Sequence, residues 1–269
     1  MSATLTQPSA TAETTAPRTY DPIPFSRLTS VELRKMFDTR SGFWLLASVG
    51  ILATLATGAV ILWGGDDALT YDTFAAAIGI PMTVILPVIA MLSITSEWSQ
   101  RTGLTTFTFV PNRGRVIAAK AACTLGIGVV AMVMAAAIGA LGNVVGSSIA
   151  GVDTVWNLSA LQFTMITLAT VLNMFIGFML GLLVRNSPAA IVAYFVYQFV
   201  LSSLTMLLAS TQEWFADLQP WVDFNYAQGQ LFDQVPSAEQ WANLGVSGLV
   251  WLVLPLAVGL RLVLRSEVK

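Results

Sequence analysis

Apolar residues fall into six long blocks separated by short polar stretches. Phe43–Trp63 contains no charge, and as a helix it spans about 31 Å at 1.5 Å per residue, the thickness of a bilayer core. Trp44 and Trp63 mark its two ends, where interfacial aromatics belong. The second block is Phe74–Thr95, in which Pro81 and Pro87 free backbone carbonyls and predict a kink. The third starts near Val116 and runs into the glycine-rich stretch Gly139–Gly151. Ala160–Val184, Pro188–Leu208 and Trp241–Leu260 complete the set. Each is long enough for a membrane-crossing helix, which predicts an all-α integral membrane protein with six transmembrane helices.

Ahead of the first block, Thr29-Ser30-Val31-Glu32 has the form of a capping box, with Leu28 and Leu33 at staple positions. Leu33, Met36 and Phe37 follow at helical spacing, opposite Glu32, Arg34, Lys35 and Asp38. The pattern predicts an amphipathic interfacial helix over 29–40, in preference to a fraying first turn of the next helix. Residues 1–24 are rich in Thr and Pro and hold no apolar run, so they read as a disordered tail and not a signal peptide. The six-helix transmembrane body is therefore expected over 25–269.

Composition supports the bilayer as solvent: 55% of residues are hydrophobic and only 10% charged, with mean hydropathy +0.73, against about 25% charged in soluble domains. There is no histidine, which removes Ser-His triads and histidine-dependent zinc and haem sites. The single cysteine, Cys123, excludes a disulfide framework. With six crossings, all 13 basic residues fall on one side of the membrane. The other side holds acids, among them Asp66, Asp67, Asp153, Glu213 and Glu239. By the positive-inside rule both termini are cytoplasmic.

No Asp or Glu lies at mid-depth within the six crossings, which argues against proton coupling; Lys120 and Arg185 lie near helix ends, where they can snorkel. Sodium coupling through neutral oxygens of Asn143, Gln162, Asn173 and Gln198 stays open, so a nucleotide-independent channel or sodium-coupled carrier is one reading. An intramembrane enzyme would need a nucleophile–base or carboxylate pair at depth, which the blocks do not offer. No G-x-x-x-x-G-K-[ST] occurs, so ATP, if used, sits on another subunit.

The loop between the second and third blocks runs Thr95-Ser96-Glu97-Trp98-Ser99-Gln100-Arg101-Thr102-Gly103-Leu104 and continues through Pro111-Asn112-Arg113-Gly114-Arg115 to Lys120. Glu97 and Arg101 stand in the acid-then-base i,i+4 order that supports a helix, Gly103 fits a helix stop, and Pro111 with Gly114 makes a turn. Spacing alone is compatible with a docking knob or with a plain solvated loop.

The string S-E-W-x-x-x-T-G-L-x-T, followed by V-P-N-R-G-R-V-x-x-A-K, resembles the inner loop of ABC-2 type ABC-transporter permeases. Residues Val31 to Trp44 resemble the amphipathic segment before that family's first crossing. This chain has Arg101-Thr102-Gly103 where members often carry a basic-Gly-Thr string. The resemblance implies a transport subunit that is not itself an enzyme, in a bacterial cytoplasmic membrane. Its implied partners are a second permease copy, as homo- or heterodimer, two ATP-binding subunits that carry the ATP and Mg, and membrane lipid, with no nucleic acid. Glu97, Trp98, Arg101, Thr102 and Gly103 would then contact the ATPase, with Glu32, Arg34 and Lys35 on the same docking face. It also implies that residues 211–238, with Trp214, Phe215, Trp221, Phe224, Tyr226 and Phe232, form short external half-helices between helices 5 and 6; an ordinary interfacial loop is the alternative. Tyr194, Tyr197, Gln198 and Thr205 on the fifth crossing are candidates to line a path for an apolar or amphipathic exported substrate, or to pack against neighbouring helices. Gly142-x-x-x-Gly146 and Gly177-x-x-x-Gly181 permit close helix contact, more readily within the chain than between copies, and Trp251 is expected only to pack.

Overall fold

A computed structural model describes residues 23–99 and 112–265. Helix α1 is Phe25–Asp38 and α2 is Arg40–Trp63. Tyr71–Ser99 forms α3, Arg113–Ala150 α4 and Ala160–Val184 α5. The fifth crossing, α6, is Ser187–Thr211, with a π-helical turn at Val196–Leu201. Two short helices follow, α7 (Glu213–Val222) and α8 (Phe224–Asp233), and then α9 (Ala238–Arg265), with its own π-helical turn at Leu249–Val253. Among the described residues there is no strand beyond an isolated bridge between Thr70 and Val155. Among the described residues, six helices are long and apolar enough to cross a membrane. This is an all-α membrane protein.

The helix starts are set by side chains that satisfy the exposed N–H groups of the first turn. Asn112 Oδ1 accepts from Arg115 N at 3.3 Å, Ser159 Oγ from Gln162 N at 3.1 Å, and Asn186 Oδ1 from Ala189 N at 3.0 Å. A full capping box opens α9, where Ser237 and Gln240 bond each other's backbone N–H. The expected box at Thr29 is not one. Helix α1 begins earlier, after Pro24, and the Thr29 hydroxyl donates to Ser26 O inside it. Leu28 is buried and Leu33 is 41% exposed, so they do not staple the helix start.

Between α1 and α2 the chain turns at Thr39, whose Oγ1 accepts from Gly42 N at 3.1 Å. Gly42 lies against the Met36 carbonyl so closely that a Cβ there would collide with it. The corner separates α1 from the crossing, as a surface helix requires.

The core forms where α3 and α5 pack together. A Cβ on Gly177 would stand 2.5 Å from Pro87 O, and one on Gly181 3.1 Å from Met91 O. Gly142 and Gly146 of α4 do the same work against Thr57 and Phe74, and against Leu69. Both small-residue pairs are used inside the chain. Pro87 cannot donate to Thr83 O, the carbonyl one turn back. Tyr194 of α6 and Asn173 of α5 (3.1 Å) donate to that oxygen instead. A carbonyl released within apolar surroundings is thus paired again by two neighbouring helices.

Candidate functional site: an ionic clamp and a re-entrant hairpin

One end of the bundle carries the described basic residues. Here Glu32 of α1, Glu97 near the end of α3 and Lys120 in the second turn of α4 meet, each no more than 6% exposed. Lys120 Nζ lies 2.5 Å from Glu32 Oε2 and 3.2 Å from Glu97 Oε1, and it donates to Ser93 O at 2.9 Å. Lys35 closes the ring from the surface, 2.8 Å from Glu32 and 3.3 Å from Glu97. Two acids and two bases form a neutral cluster that ties three elements together. Cys123 Sγ adds a contact to Thr29 O at 3.3 Å, and Arg115 donates to Ile23 O at 2.7 Å, both fastening α1 to α4.

Burial by itself raises the Glu32 carboxyl, but the ammonium groups of Lys120 and Lys35 outweigh it and hold the group below its ordinary value. Burial likewise works against a charged Lys35, and the carboxylates of Glu32 and Glu97 more than offset it, holding Lys35 above the ordinary lysine value.

These positions correct several sequence expectations. Glu97 pairs with Lys35 and Lys120, so its carboxylate is turned into the bundle and not toward a docking partner. Glu32 is inward for the same reason. Lys120 does not snorkel, because the buried acids hold it. Trp98 is half-buried: it packs against the core, and Arg185 Cζ lies 6.0 Å from its ring centre. Arg34 is exposed on α1 and Lys35 partly so, as a docking face needs. Arg101, Thr102 and Gly103 lie outside the described residues.

At the opposite, acidic end α7 and α8 form a hairpin that turns back into the bundle. Gln228 Nε2 donates to Ala169 O at 2.8 Å, and Trp251 Nε1 donates to Val222 O at 2.6 Å. Phe224 packs on Gly248. Counted along α5 and α9, these anchors lie about 14 to 20 Å from the acidic end at 1.5 Å per residue. The hairpin is therefore re-entrant, and its tip carries the acid Asp223 to depth, whereas the acids of the described crossings, Asp72, Glu97 and Glu239, lie near helix ends.

Asp223 is nonetheless a structural cap. Its Oδ1 accepts from Asn225 N at 3.0 Å and Tyr226 N at 3.1 Å, and its Oδ2 from Thr205 Oγ1 at 2.6 Å and Gln219 Nε2 at 3.4 Å. Four donors fill the acceptor sites of a carboxylate.

The four path candidates divide. Tyr194 is fully buried and pairs with Thr83 O and Asn173, so it packs and does not line an open path. Thr205 holds Asp223. Tyr197 and Gln198 lie in the π-helical turn of α6, half-buried, with the Tyr197 hydroxyl and Gln198 Oε1 unpartnered. Tyr197 faces Trp251 at 5.8 Å between ring centres, so the π-helical turns of α6 and α9 meet beside the hairpin tip. Trp251 packs, as expected, and also anchors the tip. Of the side chains considered for sodium, Asn143, Asn173 and Gln162 donate their amide nitrogens to Val155 O, Thr83 O and Asp233 O, while Asn143 Oδ1 and Gln198 Oε1 are buried without a partner. The clearest sequence signal missed was the Ser237-x-x-Gln240 box, which marks the start of α9.

No protein-family model matches the sequence, and no curated protein matches it.

Proposed function

We propose that this chain is the membrane-spanning permease subunit of an ABC transporter, exporting an apolar or amphipathic substrate, with ATP hydrolysed by separate subunits that dock at the basic end. The observation that carries the reading is the ionic clamp. It joins α1 to the roots of α3 and α4, on either side of the 100–111 segment whose flanking residues resemble an ABC-2 inner loop. A force applied to that segment or to the exposed Arg34 face reaches three elements as one unit. Glu97 and Glu32 act in this scheme as ties between the helices, while contact with the ATPase falls to Arg34, Lys35 and residues 101–103.

The scarcity of buried residues along α6, of which 6% of the apolar window is buried, suits a helix that faces lipid or a second copy of the chain. Orientation follows from the positive-inside rule, with both termini cytoplasmic.

The test is purification of the tagged chain from its native host in mild detergent. An ATP-binding protein should copurify in equal stoichiometry. Arg34→Ala with Arg101→Ala should lower the ATP turnover of the complex at least severalfold without changing the unfolding midpoint of the permease. Solute movement by the purified chain alone, with no nucleotide, would overturn the proposal.

A further inference from the structure

A cavity of about 510 Å³ opens between the re-entrant hairpin and the first turns of α9. It lies within the usual size range of small-molecule sites. Tyr226 and Gln230 of α8, Gln234 beyond it, and Glu239, Gln240 and Asn243 of α9 line it. Four of these six are amides, one is a carboxylate, and no Lys or Arg contributes.

The walls are held in place before any ligand arrives. Gln240 Oε1 accepts from Ser237 N at 2.8 Å, and Gln240 Nε2 donates to Gln230 Oε1 at 3.1 Å, joining hairpin to crossing. Asn243 is only 7% exposed and its Oδ1 is sealed from the cavity, so the amides within a ligand's reach are those of Gln230, Gln234 and Gln240.

The donor and acceptor inventory selects the ligand. An amide offers both an acceptor and a donor, as a hydroxyl does, so a wall of amides matches a dense array of hydroxyls. The Glu239 carboxylate can accept from a vicinal diol, and it repels anions. Tyr226 supplies a ring against which the C–H face of a pyranose can lie. Apolar and polar surface share the lining about evenly, with Pro220, Ala227 and Val235 present, which matches a sugar's C–H faces between its hydroxyls.

We propose that this cavity binds an uncharged polyhydroxylated molecule, a neutral saccharide or the saccharide head of a larger compound. The assignment rests on the acidic-end geometry alone and not on an ATPase partner. A bound ligand would bridge α8 and α9 and hold the hairpin against the last crossing.

The test uses the full chain in lipid nanodiscs without nucleotide and saturation-transfer NMR. The probes are maltose, cellobiose, lactose, trehalose and sucrose, with glucose 6-phosphate and glycylglycine alongside. Saturation transfer is expected to at least one neutral saccharide and not to the phosphate or the dipeptide. Gln230→Leu should weaken that binding about tenfold, the loss of one good hydrogen-bonding anchor. Should Gln230→Leu fail to fold, Gln234→Trp at the exposed rim fills the mouth without touching the buried wall and should abolish the signal. No transfer to any neutral saccharide, equal transfer in Gln234→Trp, or preference for the phosphate or dipeptide would overturn the assignment. Because nucleotide is absent, such a result leaves the transport proposal standing, and failure to find an ATPase leaves this one standing.

Discussion

Lys120 pairs with two buried carboxylates and a backbone carbonyl at once, so removing it leaves Glu32 and Glu97 to share the half-exposed Lys35 as their one remaining partner in the cluster. Lys120→Met should destabilise the protein by about 3–5 kcal/mol, the cost of breaking a buried ion pair from one side. Glu32→Leu with Lys120→Met should recover most of that loss, because Glu97 then keeps Lys35 as its partner. Thermal unfolding in detergent checks both, and a double variant no better than the single would refute the clamp. Tyr194→Phe is the milder case. It removes one of two donors to Thr83 O, and Asn173 remains, so the loss should be about 0.6–1.7 kcal/mol, the range of hydrogen bonds between membrane helices. An unchanged midpoint would mean that Asn173 alone satisfies the carbonyl.

Helix identity was legible from the apolar blocks, because length and lack of charge leave few other structures possible in lipid. Ala160–Val184 is helical over its whole predicted range, bounded by the Ser159 cap and by Arg185, whose φ is 53°. Local motifs were less dependable. Thr29-x-x-Glu32 and Ser237-x-x-Gln240 have the same spelling, yet only the second is a capping box. Thr29 lies inside α1, which already starts at Phe25, and Glu32 is turned to Lys120, a residue far along the chain that no local pattern reveals. The hairpin's depth was hidden for a similar reason. Aromatics announced an interfacial segment, but the anchors that pull it inward, Ala169 O and the Trp251 indole, belong to other helices. Glycine effects belong to this scale too. Gly177→Val should force α3 and α5 apart at Pro87 and cost at least about 1–3 kcal/mol. Gly126→Ala, with nothing within 4 Å of its Cβ, should be neutral or gain up to about 1 kcal/mol. Comparing the two unfolding midpoints tests whether close approach, and not glycine as such, is what the helix pair needs.

Across the whole molecule, charge is sorted to the two ends, and the clamp makes one of them sensitive to acid. The folded-state value of Glu32 lies below its unfolded one, so its contribution is complete above about pH 4.3 and drains away as pH falls through the lowered value. Lys35 has the opposite sign: its contribution holds below about pH 10.4 and is lost as pH rises through the raised value. Unfolding midpoints should therefore stay level from about pH 5 to 9 and drop below about pH 4. The acid drop should be smaller in Glu32→Leu with Lys120→Met, and an equal drop would place the sensitivity elsewhere. Partition of charge and number of crossings were readable from composition and spacing. The pairing of Glu97 was not, since its partners come from α1 and α4 and only the assembled bundle brings them near. The same assembly gives α4 a mechanical character. Arg113–Ala150 is one unbroken helix of about 57 Å, nearly twice the bilayer core. It is fastened to α1 at its root and carries Asn143, which bonds Val155 O, near its far end. A rod of that length magnifies small rotations: rocking it by about 5° about its root swings the distant tip by about 5 Å. An angular nudge too slight to break the four-charge knot would thus arrive on the other face as a shift as wide as a helix turn is tall.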